Sequence, residues 1–186
     1  MKKGIIDRFR SLPMAPSAVL TGRTLSDVVN NVLVLVVMSL TGLLVGWAIH
    51  SSVAEAVAGG FLLLIVFAYA VSWIMAWLGM LVPSVEVFNN ATFIVIFPLT
   101  FVANTFVPLE TLPKVLQTFA EWNPPVSAVT QASRELFGNI PPAGVPEPTS
   151  WPLQNAPPLY TLIWTVIILA VFIPVANLQY RRSTSR

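Results

Sequence analysis

VAGGFLLLIVFAYAVSWIMAWLGMLV, the run from Val57 to Val82, decides the fold class of this chain. It contains no Asp, Glu, Lys or Arg. A helix needs about 20 predominantly apolar residues to cross a bilayer, within a range of about 17–25. A soluble core helix of this length would turn a polar face outward every three to four residues, and this run has none. Three further stretches read the same way: Val28–Ile49, Ala91–Val107 and Leu159–Asn177. The expected fold is therefore all-α, an integral membrane bundle of four transmembrane helices.

Composition agrees. Hydrophobic residues make up 55% of the 186 and charged residues 10%, against about 25% charged in a soluble domain. A net charge of +2 gives no basis for a nucleic-acid partner. There is no cysteine, which removes disulfides and thiolate metal sites. No cleavable signal sequence follows Lys2 and Lys3, because the next apolar run begins only after Arg23.

Orientation follows from the cations. Lys2, Lys3, Arg8, Arg10 and Arg23 precede the first span, and Arg181, Arg182 and Arg186 follow the last. The loop around His50–Ala56 has no Lys or Arg, and the long segment after span three has only Lys114 and Arg134. Cytoplasmic loops carry the Lys/Arg excess, so both termini are expected on the cytoplasmic side. Residues 1–24 then form a cytoplasmic tail and 25–186 the transmembrane domain, with 108–158 outside. Trp47, Tyr160 and Tyr180 fall near span ends, where aromatic belts form.

Within the tail, Ile5, Ile6, Phe9 and Leu12 share one helical face, while Asp7, Arg8 and Arg10 point elsewhere. Pro13 and Pro16 limit that helix. By itself this is equally a positive flank resting on lipid headgroups. Span one carries Asn30, Asn31, Ser39 and Thr41, and a small-xxx-small pattern at Gly42 and Gly46 that suits close helix packing. Span three holds Pro98 and Asn104, and span four Pro174. The outer segment predicts two short helices. The first starts at Thr111 with an apolar stripe of Leu112, Val115, Leu116 and Phe119. The second opens at Asn123-Pro124-Pro125 and stops at Gly138. Together they suggest a re-entrant or interfacial hairpin, followed by a Pro-rich connector.

Several chemistries are missing. No G-x-x-x-x-G-K-[ST] occurs, so the chain has no P-loop with which to hydrolyse ATP. One histidine, His50, makes neither a metal cluster nor a catalytic triad. No acidic or basic residue lies in a span, although ion-coupled transporters generally place one there. What remains is a membrane domain driven by another subunit, or a non-transport membrane scaffold or assembly protein.

Three stretches carry a family resemblance: Gly4-Ile-Ile-Asp-Arg-Phe-Arg-Ser-Leu-Pro-Met14 with Ala18-Val-Leu-Thr-Gly-Arg-Thr24; Phe97-Pro-Leu-Thr-Phe-Val-Ala-Asn-Thr-Phe-Val-Pro108 with Glu110-Thr-Leu-Pro113; and Asn123-Pro124. In this order the sequence resembles the ABC-2 type permease subunits of bacterial exporters, in particular the daunorubicin-resistance class. The resemblance implies a non-enzymatic, multi-pass subunit of the bacterial inner membrane that exports a drug-like or lipid-like cargo. It implies a separate ABC ATPase subunit, which uses ATP and Mg, and a second permease chain, identical or a similar paralogue. No cofactor or metal on this chain is implied. Ile5, Ile6, Asp7, Arg8, Phe9, Arg10 and Leu12 would form the coupling helix that docks on the ATPase. Asn30, Asn31, Ser39, Thr41 and Asn104 are candidates to line a pathway. Family members usually have six spans, so this chain would begin just after the second.

Overall fold

The computed structural model describes residues 16–102, 113–122, 124–139, 150 and 154–184. All regular structure among them is helical. We number the helices α1 (Pro16–Val45), α2 (Leu62–Leu81, entered through a π-helical turn Glu55–Phe61), α3 (Val85–Val102), α4 (Lys114–Trp122), α5 (Pro124–Leu136) and α6 (Pro157–Thr184). Three of these are long and apolar enough to cross a membrane: α1 over Gly22–Val45, the π turn with α2 over Glu55–Leu81, and α6 over Pro157–Tyr180. Val85–Thr100 in α3 is apolar but shorter. It begins six residues before the expected start of span three, and 103–107 lie outside the described residues.

The helices start and stop for local reasons. Pro16 opens α1, where its missing N–H costs nothing. The helix ends at Val45, four residues before the expected Ile49. Gly46 takes φ 105°. Its N–H donates to the Leu43 carbonyl at 3.2 Å, and the Trp47 N–H to the Gly42 carbonyl at 2.8 Å. This pair of bonds is a Schellman motif, which satisfies carbonyls that the helix end would otherwise leave bare. The same motif closes α5. Gly138 has φ 66°, its N–H meets the Glu135 carbonyl at 3.0 Å, and the Asn139 N–H meets the Arg134 carbonyl at 2.9 Å.

The interior lies between α2, α5 and α6, which pack on one another. Trp73 and Ala176 are buried at its centre, with Tyr69, Trp77, Met80, Leu169, Phe172, Ile173 and Tyr180 around them. Trp77 meets Phe172 edge-on at 5.4 Å. Where α5 meets α6, both helices contribute small buried residues: Ser127, Ala128 and Ala132 from one, Thr161 and Thr165 from the other. Small side chains let helix backbones approach closely, which is how helices associate in lipid, where hydrophobicity gives no net pull.

Lipid also explains the outside. Leu33, Val37, Met38, Phe93, Ile94, Val95, Ile163 and Val166 are all exposed. On a soluble protein such a surface would aggregate; against acyl chains it has its proper solvent. Hydroxyls within the spans bond to their own helix instead of to water. Ser39 donates to the Leu35 carbonyl at 2.7 Å, Thr41 to Val37 at 2.8 Å, Ser72 to Ala68 at 3.0 Å and Thr165 to Thr161 at 2.7 Å.

Candidate functional site

A densely bonded locus joins three segments at one end of the bundle: residues 47–52, the π turn 55–61 and the end of α5. Ser52 and Glu55 begin it with a capping box. The Ser52 N–H and hydroxyl both donate to Glu55 Oε2, at 3.1 and 2.9 Å, and the Glu55 N–H donates to Ser52 Oγ at 3.2 Å. The helix then winds wide, and the Leu62 N–H is shared between the Val57 and Gly59 carbonyls. This turn presents Gly59 and Gly60 to α5. A Cβ on Gly59 would stand 2.8 Å from Leu136 Cδ2, and one on Gly60 2.7 Å from Phe137 Cζ. A Cβ at either position would therefore have to push the facing side chain aside.

Phe137 is the key that fits this notch. It is buried, with Trp47 edge-on at 5.4 Å and Phe61 edge-on at 5.0 Å. Its carbonyl accepts the His50 N–H at 3.0 Å. The Asn139 amide, in the orientation that satisfies both neighbours, donates to the Ala48 carbonyl at 3.1 Å and accepts from Trp47 Nε1 at 3.0 Å. Gly138 completes the contact, since a Cβ there would lie 2.7 Å from the Ser51 nitrogen. The arrangement fixes the end of α5 to the α1–α2 connection.

A second feature is an open groove of about 300 Å³ along α3, lined by Asn89, Thr92, Phe93, Ile96, Phe97 and Thr100. The Phe93 and Phe97 rings stack at 5.0 Å with 28° between planes. Thr100 keeps its hydroxyl on its own helix, bonded to the Ile96 and Phe97 carbonyls at 2.8 and 2.9 Å. Thr92 Oγ1 is buried and has no hydrogen-bond partner. The groove thus sets an aromatic wall beside a few polar points on one side of a single helix.

The residues singled out from sequence are distributed differently. Ile5, Ile6, Asp7, Arg8, Phe9, Arg10, Leu12 and Asn104 lie outside the described residues. Asn30, Asn31, Ser39 and Thr41 all stand on α1. At about 100° per residue, Asn30 and Thr41 share a side, Ser39 lies opposite and Asn31 between. They do not form one polar stripe, and the Ser39 and Thr41 hydroxyl protons are committed to α1 itself. Gly42 and Gly46 take part in closing the end of α1. Gly46 ends α1 with open space about its Cα, and a Cβ on Gly42 would be 3.4 Å from the Trp47 ring. The α3 stripe was missed because its polar residues are spread among aromatics, and neither type marks a site in an apolar helix. Among the described residues there is no cluster of His, Asp or Glu that could hold a metal ion.

Several apolar helices of this length in one chain define a multi-pass membrane protein. The chain belongs to the ABC-2 type transporter family, which it matches over residues 1–136. It is 42% identical, over 135 residues, to the daunorubicin resistance ABC transporter permease protein DrrB1 of Streptomyces coeruleorubidus. That match takes in 73% of this chain and 47% of the relative, so the chain spans about half the length of the curated relative it matches. No solved structure matches.

Proposed function

We propose that this chain is membrane-spanning permease material of an ATP-driven exporter, working in the bacterial cell membrane with a separate ABC ATPase and a second permease chain. The observation that carries the reading is family membership together with identity to a drug-resistance permease over most of this chain. The ATPase supplies the chemistry of ATP and Mg. This chain supplies a path through the membrane and the surfaces that move it.

Both termini lie on the cytoplasmic side in this proposal, following the cation distribution. The face of Ile5, Ile6, Phe9 and Leu12, with Asp7, Arg8 and Arg10 around it, docks in a groove on the ATPase, as an amphipathic helix does on a complementary partner. ATPase closure is then passed to α1, which follows directly in the chain. The cargo is hydrophobic or amphipathic, drug-like or lipid-like, as the uncharged spans favour. Asn30, Asn31, Ser39, Thr41 and Asn104 remain candidates for the remainder of the path.

The test is co-purification. The tagged chain, extracted in a mild detergent, is expected to bring down a P-loop ATPase in stoichiometric amount, and Phe9→Ala with Arg10→Ala to lose it while the chain stays in the membrane. An ATPase that is retained by the double variant removes the coupling role of the tail. Failure to recover any ATPase with the unaltered chain removes the exporter reading.

A further inference from the structure

The join between α1 and α2 is the one place among the described residues where π-helical winding occurs. The Leu62 N–H reaches the Val57 carbonyl, five residues back, and the Gly59 carbonyl, three back. It skips Ala58, the partner an α-helix would use. A single π turn amounts to one residue inserted into an α-helix, and such turns are frequent at functional sites.

Different groups hold the two sides of this joint. After it, α2 is fixed to α6 by Trp73 packed with Ala176 and by Trp77 on Phe172. Before it, residues 47–52 are held by the end of α5. The Phe137 carbonyl accepts the His50 N–H, and the Asn139 amide bonds Ala48 and Trp47. The Phe137 ring touches both sides, Trp47 ahead of the joint and Phe61 at its end. Helix α1 adds little restraint of its own. Among the described residues none from Leu25 to Val45 is buried, and α1 packs chiefly on α2. It meets the connector at Gly46, whose φ of 105° and open surroundings suit a pivot.

We propose that the π turn is a register joint between α1 and α2, latched by the end of α5. With Phe137 seated, the extra residue stays in the joint. With Phe137 withdrawn, the Leu62 N–H moves to the Ala58 carbonyl and the joint closes to α geometry. Closing by one residue turns Ser52 and Glu55 by about 100° around the axis of α2 and shifts them by about 1.5 Å along it. The bonds of His50 and Asn139 cannot follow that turn, so latch and register form one two-state element. Gly46 passes the movement on to α1. The coupling runs both ways: displacing α1 unseats Phe137, and displacing α5 frees α1. The inference concerns the mechanics of this chain and goes beyond the exporter reading without resting on it.

The chain has no cysteine, so pairs of nitroxides can be attached without background. Leu33→Cys on α1 with Val166→Cys on α6 reports where α1 stands. Leu81→Cys on α2 with Val166→Cys reports the α2–α6 core. All three side chains are exposed. Distances are read by pulsed electron paramagnetic resonance on the full chain in phosphatidylcholine nanodiscs: unaltered, with Phe137→Ala, and with Ala58 deleted. The unaltered chain is expected to give one narrow distance for each pair. Phe137→Ala should add a second distance between 33 and 166 and leave that between 81 and 166 alone. Deletion of the exposed Ala58 removes the extra residue and keeps the ring. It should move most of the 33-to-166 population to that same second distance. If neither change alters the 33-to-166 distance, the proposal is overturned, since the joint then does not set α1. Equal changes in both pairs overturn it too, because Phe137 is then a support of the whole bundle. So does a deletion whose new distance differs from the one Phe137→Ala opens, because the two then share no register.

Discussion

Replacing Gly60 by alanine puts a methyl group where the Phe137 ring now sits. Its Cβ would lie 2.7 Å from Cζ, 2.8 Å from Cε1 and 3.1 Å from Cε2. The ring has little room to retreat. Trp47 and Phe61 hold it edge-on, and the residue's own carbonyl is tied to the His50 N–H. Overpacking of this kind costs about 1–3 kcal/mol. Alanine returns up to about 1 kcal/mol as the better helix former. The net expectation is a loss of about 1 kcal/mol, a value that alone would decide little. The second background decides. Phe137→Ala removes the ring, so Gly60→Ala in that background keeps only the helical gain and becomes stabilising by up to about 1 kcal/mol. The assay is unfolding of the purified chain in mixed micelles by increasing dodecyl sulfate, followed by far-ultraviolet circular dichroism, for the wild type, both single variants and the double. A reversal of sign between backgrounds supports the notch. The same effect of Gly60→Ala in both backgrounds refutes it, because Phe137 is then not what the glycine accommodates.

Two other predictions accompany those already tied to the tail and to the π turn. Gly138→Ala combines φ 66° with a Cβ 2.7 Å from the Ser51 backbone nitrogen, and strain at such a site costs about 1–3 kcal/mol. Gly22→Ala on α1, with nothing within 4 Å of its Cβ, should instead be neutral or stabilise by up to about 1 kcal/mol in the same melt; equal losses at both positions would contradict the local geometry. Phe93→Ala with Phe97→Ala removes the stacked wall of the α3 groove. If that wall holds an aromatic cargo, the half-saturating cargo concentration for efflux should rise about five- to tenfold, from a loss of about 1–1.4 kcal/mol. Unchanged efflux of a fluorescent aromatic drug, at equal protein level, removes the groove from the path.

Much of the architecture is legible in the linear sequence because a bilayer makes simple demands. Every backbone group in hydrocarbon must be paired within the chain, so an uncharged run like Val57–Val82 has one outcome, a helix. The C-terminal stop of α5 at Gly138 was readable as well, since the positive φ of a helix end falls to glycine. The end of α1 was not. Gly42 and Gly46 fit both a packing motif and a Schellman end, and the choice rests on Trp47 folding back on Gly42. Sequence periodicity says nothing of that contact.

The sequence by itself determined the class of protein, the family, the apolar helices and the short helices α4 and α5, because each depends on residues close together in the chain. Tertiary structure alone decided what those parts do to one another. Gly59 and Gly60 become a notch only when Leu136 and Phe137, far along the chain, arrive against them. Trp73, one of several tryptophans in apolar helices, becomes core only through α6 and its Ala176. Helices α4 and α5 both read from sequence as short helices, yet α5 buries its small residues against α6 and α4 leaves Val115 and Phe119 outside. Which side of a helix a bundle covers depends on the directions of its neighbours, and that information is spread over the whole chain.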